Sequence, residues 1–318
     1  MDRDIRYVPP RTKRQTNFAV VVLLLISISP AVFAQRTPAR KPTAVGSVSI
    51  ATEPNAAVWI DEIRRGTTDA TGKLELTKVS PGRHTLRVRA NGFKEVTLPL
   101  LSARRGTVVV RLTRTTDASE LAFQEAETER ELARTDEARE KSVAAYRRAL
   151  QLRRAFPAAH LGLARVLLDL NQYPAALNEV EAARATRPVY AEASAVEGRI
   201  NREAAFEEEA VKSFRRAIRE GRGFQPEAHV GLARVLEEKG ELGEAIVEYR
   251  KGLDQLFDSE PVIYQLLGAA YEKQQKNIEA VAAYQKYLDL APNGSLAPAL
   301  RSIIDQLKRD AAGQEIIP

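Results

Sequence analysis

Cysteine is absent from the 318 residues. That excludes disulfides, thiolate metal sites, a Cys nucleophile and a lipid-bearing cysteine. Histidine is scarce, present only as His84, His160 and His229, and tryptophan occurs once, as Trp59. HExxH, GxSxG, GxxxxGK-S/T and GxGxxG patterns are all missing, so the usual zinc-hydrolase, nucleophile-elbow and phosphate-loop chemistries have no residues to carry them. Runs such as Glu207-Glu208-Glu209 and Glu237-Glu238 read as solvated helix faces, because acid–base work needs perturbed carboxylates in a cleft. No residue set calls for a cofactor or metal, and the chain reads as non-enzymatic. Long hydrophobic runs are lacking too: the main one, Phe18–Ile28, is short of the ~20 residues of a helical membrane span.

Charge is unevenly spread. The net charge is +6, but residues 35–117 hold 15 Lys and Arg against 7 Asp and Glu, whereas residues 118–318 hold 28 against 33. A basic middle and a mildly acidic C-terminal part point to different partners for the two. Neither an acidic helical part nor the lack of aromatic–basic alternation suits nucleic acid. At the N-terminus, Arg3, Arg6, Arg11, Lys13 and Arg14 precede the apolar run, Pro30 breaks it, and Val32-Phe33-Ala34 offers a cleavage site before Gln35. Residues 1–34 thus read as a secretory signal peptide, with an uncleaved anchor as the alternative. The remainder is expected to be exported, periplasmic or attached to the cell envelope, with no integral span after cleavage. Residues 35–44, rich in Pro and charge, form a linker.

From Val45 the hydrophobic period becomes two: Val48 and Ile50, Val58 and Ile60, Leu74 and Leu76, Leu86 and Val88, then Val108, Val110 and Leu112. Glu53-Pro54-Asn55, Thr71-Gly72, Ser80-Pro81-Gly82 and Asn91-Gly92 separate these strands as turns. A small antiparallel, sandwich-like module over residues 45–114 is expected. The ordered set Gly46–Pro54 (GSVSIATEP), Val58–Asp61 (VWID), Pro81–Val88 (PGRHTLRV) and Gly92-Phe93 resembles the PEGA domain. That resemblance implies an extracytoplasmic β module without catalysis, suspected of binding envelope components. The basic excess includes Arg64, Arg65, Arg83, Arg87, Arg89, Lys94, Arg104 and Arg105. Alternation with Leu86 and Val88 places Arg87 and Arg89 on one exposed face, which would either meet an anionic envelope polymer or be a solvated face that blocks edge pairing. Trp59, opposite Val58 and Ile60 by the same alternation, would either stack on sugar or pack under a loop.

Further on the chain repeats. Pro157–Leu168 (PAAHLGLARVLL) returns as Pro226–Glu237 (PEAHVGLARVLE), and units start at 157, 191, 226 and 261, the ~34-residue spacing of a helix–turn–helix repeat. The eighth position is small (Ala164, Gly198, Ala233, Gly268), the twentieth is Ala176, Ala210, Ala245 and Ala280, and the twenty-fourth is larger (Val180, Phe214, Tyr249, Tyr284). Small residues let two antiparallel helices approach, and a bulky neighbour fills the groove left over. These residues resemble the tetratricopeptide repeat (TPR) family over residues 157–294, which implies an all-α solenoid of stacked hairpins. Glu197 and Asn201 stand where the family pattern wants apolar residues, so the unit at Ala191 is expected to pack least well. Residues 115–156 read as connecting helices or a degenerate first unit, with Thr115-Thr116-Asp117 as a cap. Residues 295–310 read as a capping helix and 311–318 as a fraying tail. His160 and His229 share one repeat position with no carboxylate recurring beside them, and are expected to pack rather than bind metal.

In the TPR family the first helix of each unit lines a concave face. The resemblance places Arg165, Arg199 and Arg234, one per unit, and Arg202 on that face. Arginine forks suit carboxylates, so an extended protein or peptide segment with acidic side chains or a free C-terminus would fit. The competing reading is that these arginines pair with Glu192, Glu203, Glu227, Glu237, Glu238 and Glu272 on the same face and contribute little. The expected function is an exported adaptor, the groove holding a protein segment while the β module engages an envelope component. The alternative is a polymer-binding or structural protein in which the β module alone carries recognition.

Overall fold

The computed structural model describes residues 46–61, 63–79, 83–101, 106–256 and 260–314. Residues 1–45, which include the segments read from the sequence as signal peptide (1–34) and linker (35–44), lie outside them, as do Ser80–Gly82, Arg104, Arg105 and residues 315–318.

The described residues hold seven strands, β1 (Gly46–Ala51), β2 (Ala57–Ile60), β3 (Ile63–Thr67), β4 (Lys73–Val79), β5 (Arg83–Arg89), β6 (Val96–Leu101) and β7 (Gly106–Val109), of which β3 and β6 fall outside the period-two runs expected from the sequence. They form two sheets, ordered β4-β1-β7 and β3-β2-β5-β6. Val48, Ile50, Leu76 and Val108 from the first sheet and Val58, Ile60, Leu86, Val88 and Leu100 from the second are buried against one another, as alternation requires when two inner faces share a core. The expected all-antiparallel pairing needs one correction: β1 and β7 run parallel, with Ile50 opposite Val108. Period-two patterning assigns a face but not a direction. The first and last strands of the module can meet in parallel because the whole chain between them serves as the crossover. Asp61, at a left-handed φ of 50°, ends β2. Its carboxylate lies 2.5 Å from His84 Nδ1 and accepts from the Thr85 amide at 2.8 Å, pinning the β2–β3 hairpin to β5.

Among the described residues eleven helices follow. Asp117 starts α1 (Ala118–Leu132), its side chain accepting from the Ser119 and Glu120 amides, a cap of the expected kind. Then come α2 (Asp136–Leu152), α3 (Pro157–Asp169), α4 (Tyr173–Thr186), α5 (Ala191–Glu203), α6 (Glu207–Glu220), α7 (Pro226–Glu238), α8 (Leu242–Leu256), α9 (Val262–Lys273), α10 (Asn277–Leu290) and α11 (Ala297–Gln314). Helix α11 runs past residue 310 and into the segment expected to fray. Between α3 and α4, α5 and α6, α7 and α8, and α9 and α10, the same turn recurs. Asn171, Ala205, Gly240 and Gln275 adopt φ of 59°, 60°, 81° and 60°, and the next amide bonds back to a carbonyl one turn inside the first helix. This satisfies carbonyls that the helix end would leave orphaned.

Packing follows the small-against-large rule. A Cβ added to Gly198 would lie 2.7 Å from Phe214, one on Gly231 would overlap the same ring, and one on Gly268 would overlap Tyr284. Each of these bulky twenty-fourth residues therefore sits in a notch that only glycine leaves open. The apolar interior is nevertheless interrupted within α5–α6. One cluster spans α1 to Ile200 of α5 and another spans Ala195 and α6 to α11. Between them Glu197 pairs with Arg216 and accepts from Ser213, and Asn201 donates to Ser213 at 3.4 Å. The unit at Ala191 is thus joined by polar bonds at the positions where the sequence departs from apolar. The described residues form one compact unit.

Candidate functional site

The site begins with the outer face of the β3-β2-β5-β6 sheet. Register places Trp59 opposite Arg87 on β5 and Arg64 on β3, so these side chains share the face turned away from the sandwich core, as alternation predicts. That face is not exposed. Trp59, Arg87 and Arg89 are 9%, 8% and 8% exposed, because the sheet lies on the first helices of the hairpins. This corrects the expected exposure of Arg87 and Arg89 and decides between the two readings of Trp59 in favour of packing, under helices instead of a loop: alternation separates the two faces of a sheet but cannot say which of them meets solvent once a second element covers it.

The contact is built from ion pairs around an aromatic centre. Arg87 and Arg89 stack on Trp59 with their guanidinium carbons 4.5 and 5.2 Å from the ring centroid. Arg89 also lies over Phe123 of α1 and pairs with Glu95 at 2.7 Å and Glu127 at 3.3 Å. Arg87 reaches Glu192 of α5 at 3.7 Å, and Arg64 reaches Glu131 of α1 at 2.7 Å. The Gln124 side chain accepts from the Gly92 amide at 2.7 Å and donates to the Phe93 carbonyl at 2.8 Å. Burial by itself would raise the Glu127 carboxyl, but Arg130, Arg89 and the Tyr146 hydroxyl hold it down at about 2. Glu192 is likewise held below its usual range against the pull of burial, by Arg165 and Arg87. Burial pushes the Tyr190 hydroxyl up.

These contacts divide the expected arginine ladder. Arg165 lines a 280 Å³ cavity with Trp59, Arg89 and Tyr190 and is 3.2 Å from Glu192, so it is not open to a peptide. The other three line a second cavity of 470 Å³ along α5, α7 and α9. Arg202 is paired with Glu203 at 2.6 Å and Glu238 at 3.6 Å. Arg199, 56% exposed, is 3.4 Å from Asp169. Arg234 is exposed, and among the described residues no ion pair engages it. Glu237 and Glu272 accept from Tyr249 and Tyr284 at 2.7 and 2.8 Å, so part of the acidic side of the face anchors the packing tyrosines. Val196, Val230, Ile263 and, from the β module, Ile63 and Arg64 share the lining. Sequence reasoning missed Ile63 and Arg64, since nothing local marks a hairpin residue as part of a helical groove.

The histidines also differ from expectation. His160 Nδ1 lies 2.6 Å from Glu179 and His229 Nδ1 2.5 Å from Glu248. A carboxylate does recur beside them, 19 residues on in each case, across the hairpin rather than along the helix. Among the described residues no group of three or more His, Cys, Asp or Glu is placed to hold a metal, and no helix is long and apolar enough to cross a membrane.

Residues 161–204 and 208–261 match one tetratricopeptide-repeat family model, and residues 261–293 match a second. No PEGA family model and no catalytic family matches. No curated protein gives a match. Among solved structures, Pseudomonas aeruginosa PilF is 16% identical, with 60% of this chain and 88% of that one covered and a TM-score of 0.52. PilW, described as a widely conserved type IV pilus biogenesis factor, is 14% identical, with 62% and 93% covered and a TM-score of 0.52. A thermophilic TPR protein of Thermus thermophilus is 22% identical, with 60% and 98% covered and a TM-score of 0.49. The likeness to PilF and PilW is one of fold. With the recurring left-handed turn and the glycine notches, the matches make residues 161–293 an array of tetratricopeptide repeats.

Proposed function

We propose that the protein is an exported, non-enzymatic interaction scaffold, and that the open part of its helical face holds an extended segment of a partner protein bearing carboxylates. Arg234 carries this reading: an exposed guanidinium beside Val230, without an ion pair among the described residues. Arg199, whose one ion pair among the described residues is with the exposed carboxylate of Asp169, stands ready one repeat away. An arginine without a partner next to an apolar floor favours a ligand offering a carboxylate and an apolar side chain together. The PEGA-like module keeps an envelope-binding role in this reading only through surfaces other than Trp59, Arg87 and Arg89, so recognition by the β module alone is the weaker alternative.

The test is capture from envelope extract by the chain from Gln35 onward, beside an Arg199→Glu/Arg234→Glu variant whose helicity circular dichroism has verified. A protein held by the first and lost by the second supports the reading; identical captures overturn it. Export is checked separately by sequencing the N-terminus of the expressed protein after cell fractionation. A cytoplasmic chain starting at Met1 would remove the exported part of the proposal.

A further inference from the structure

Resting on that reading, we infer that the β2–β3 hairpin forms the second wall of the peptide cleft, so that the β module helps to select the segments the repeats accept. Ile63 and Arg64 line the 470 Å³ cavity together with Arg199, Val230 and Arg234. Ile63 packs half-buried against the apolar cluster of α6 to α11. One side of the cleft is therefore helix and the other is strand.

The hairpin wall is tethered at Asp61 and Arg64, and such anchoring is what a recognition surface needs if ordering costs are not to consume the binding energy. Asp61 holds its end to His84 and Thr85 of β5. Arg64 is fixed by Glu131 at 2.7 Å and by the Thr67 hydroxyl at 3.3 Å. Strand β5 is tied in turn to α1 and α5 through Arg89–Glu127 and Arg87–Glu192. The wall cannot swing away with β5 without breaking Arg89–Glu127 and Arg87–Glu192, which are out of water, while Arg64–Glu131 holds the hairpin itself at the surface.

The chemistry of the two walls defines the occupant. The lining has four arginines, Arg64, Arg199, Arg202 and Arg234, against Glu227 and Glu260, and Glu227 already helps to stabilise the Arg165 charge. The fitting occupant is an extended peptide that puts an apolar side chain between Ile63 and Val230 and a carboxylate toward Arg234. A basic segment would meet unscreened arginine.

The experiment uses a random peptide library selected on the chain from Gln35 onward and on three variants, Arg234→Glu, Ile63→Glu and Ile63→Ala. Trp59 emission first verifies that the module stays docked, and Ile63→Ala stands in if Ile63→Glu undocks it. Wild type is expected to enrich peptides with Asp or Glu beside Leu, Ile or Phe. Arg234→Glu should lose the acidic preference. The docked Ile63 variant should lose the apolar preference and bind the wild-type peptides about tenfold more weakly. If a docked Ile63 variant selects the same peptides with unchanged Kd, the hairpin is no wall and the inference fails while the groove reading stands. If wild type enriches nothing, the groove reading itself fails.

Discussion

The face made by the first helices of the hairpins carries arginines from α1 to α7, yet its two halves are chemically unlike. Over α1, α3 and the start of α5 the β module is already in place, and Arg165 is tied to Glu192 in a site where both signs of charge converge on Trp59. Over α5, α7 and α9 the same repeat position presents Arg234 to solvent. The difference shows that equivalent repeat positions do not have equivalent roles: an arginine's function is set by what covers it. Buried ion pairs hold geometry more than they add stability, and removing one partner is costly because it strands the other. Exposed arginines cost little to change and are free to meet a ligand.

The largest expected effect sharpens this contrast. Glu192→Gln withdraws the carboxylate shared by Arg165 and Arg87 and should destabilise the fold by about 3–5 kcal/mol. Arg234→Ala should stay within about 0.5 kcal/mol. Urea denaturation of both variants checks the pair; equal effects would break the division of the face into two halves.

Acid should release the covered half first. Glu127 sits at about 2 against the usual 4.5. A depressed carboxyl contributes stability that is fully present above its unfolded value and lost as pH falls through the interval down to the folded value. The contribution is about 3 kcal/mol. Trp59 is the only tryptophan, so its emission should shift red between pH 4.5 and 2 before the helical circular dichroism signal is lost. Coincident transitions would mean that the module and repeats do not separate.

Next in size are the glycine notches. Gly162→Val and Gly268→Val push on Tyr146 and Tyr284, and overpacking of this kind costs about 1–3 kcal/mol. Only Tyr146 bonds a carboxylate of the covered half, Glu127. Both variants should therefore melt lower, but only Gly162→Val should change Trp59 emission. The smallest effect lies at the boundary between the halves. Ala205 holds φ of 60°, a conformation glycine adopts freely, so Ala205→Gly should raise stability by up to about 1 kcal/mol. A melting temperature that falls would place the cost in the unfolded chain instead.

Much was legible locally. The alternating runs read from the sequence marked β1, β2, β4, β5 and β7 but not β3 or β6, and the 34-residue spacing with its small and bulky positions gave the hairpins and the side chains that fill them. Glu197 and Asn201 were visible as departures, but not their partners Arg216 and Ser213, which lie on the next helix. The same limit hid Glu179 and Glu248 from the histidines, since a partner across a hairpin is not a neighbour in periodicity.

Residues 161–293 were determined by sequence alone, because each unit contacts mainly its neighbours and short-range pattern fixes short-range packing. The fate of Trp59, Arg87, Arg89 and Arg165 was decided only by tertiary structure. The burial of the first three and the covering of Arg165 depend on a sheet from one part of the chain lying on helices from another. Register, charge and shape complementarity across that distance leave no period in the sequence to read.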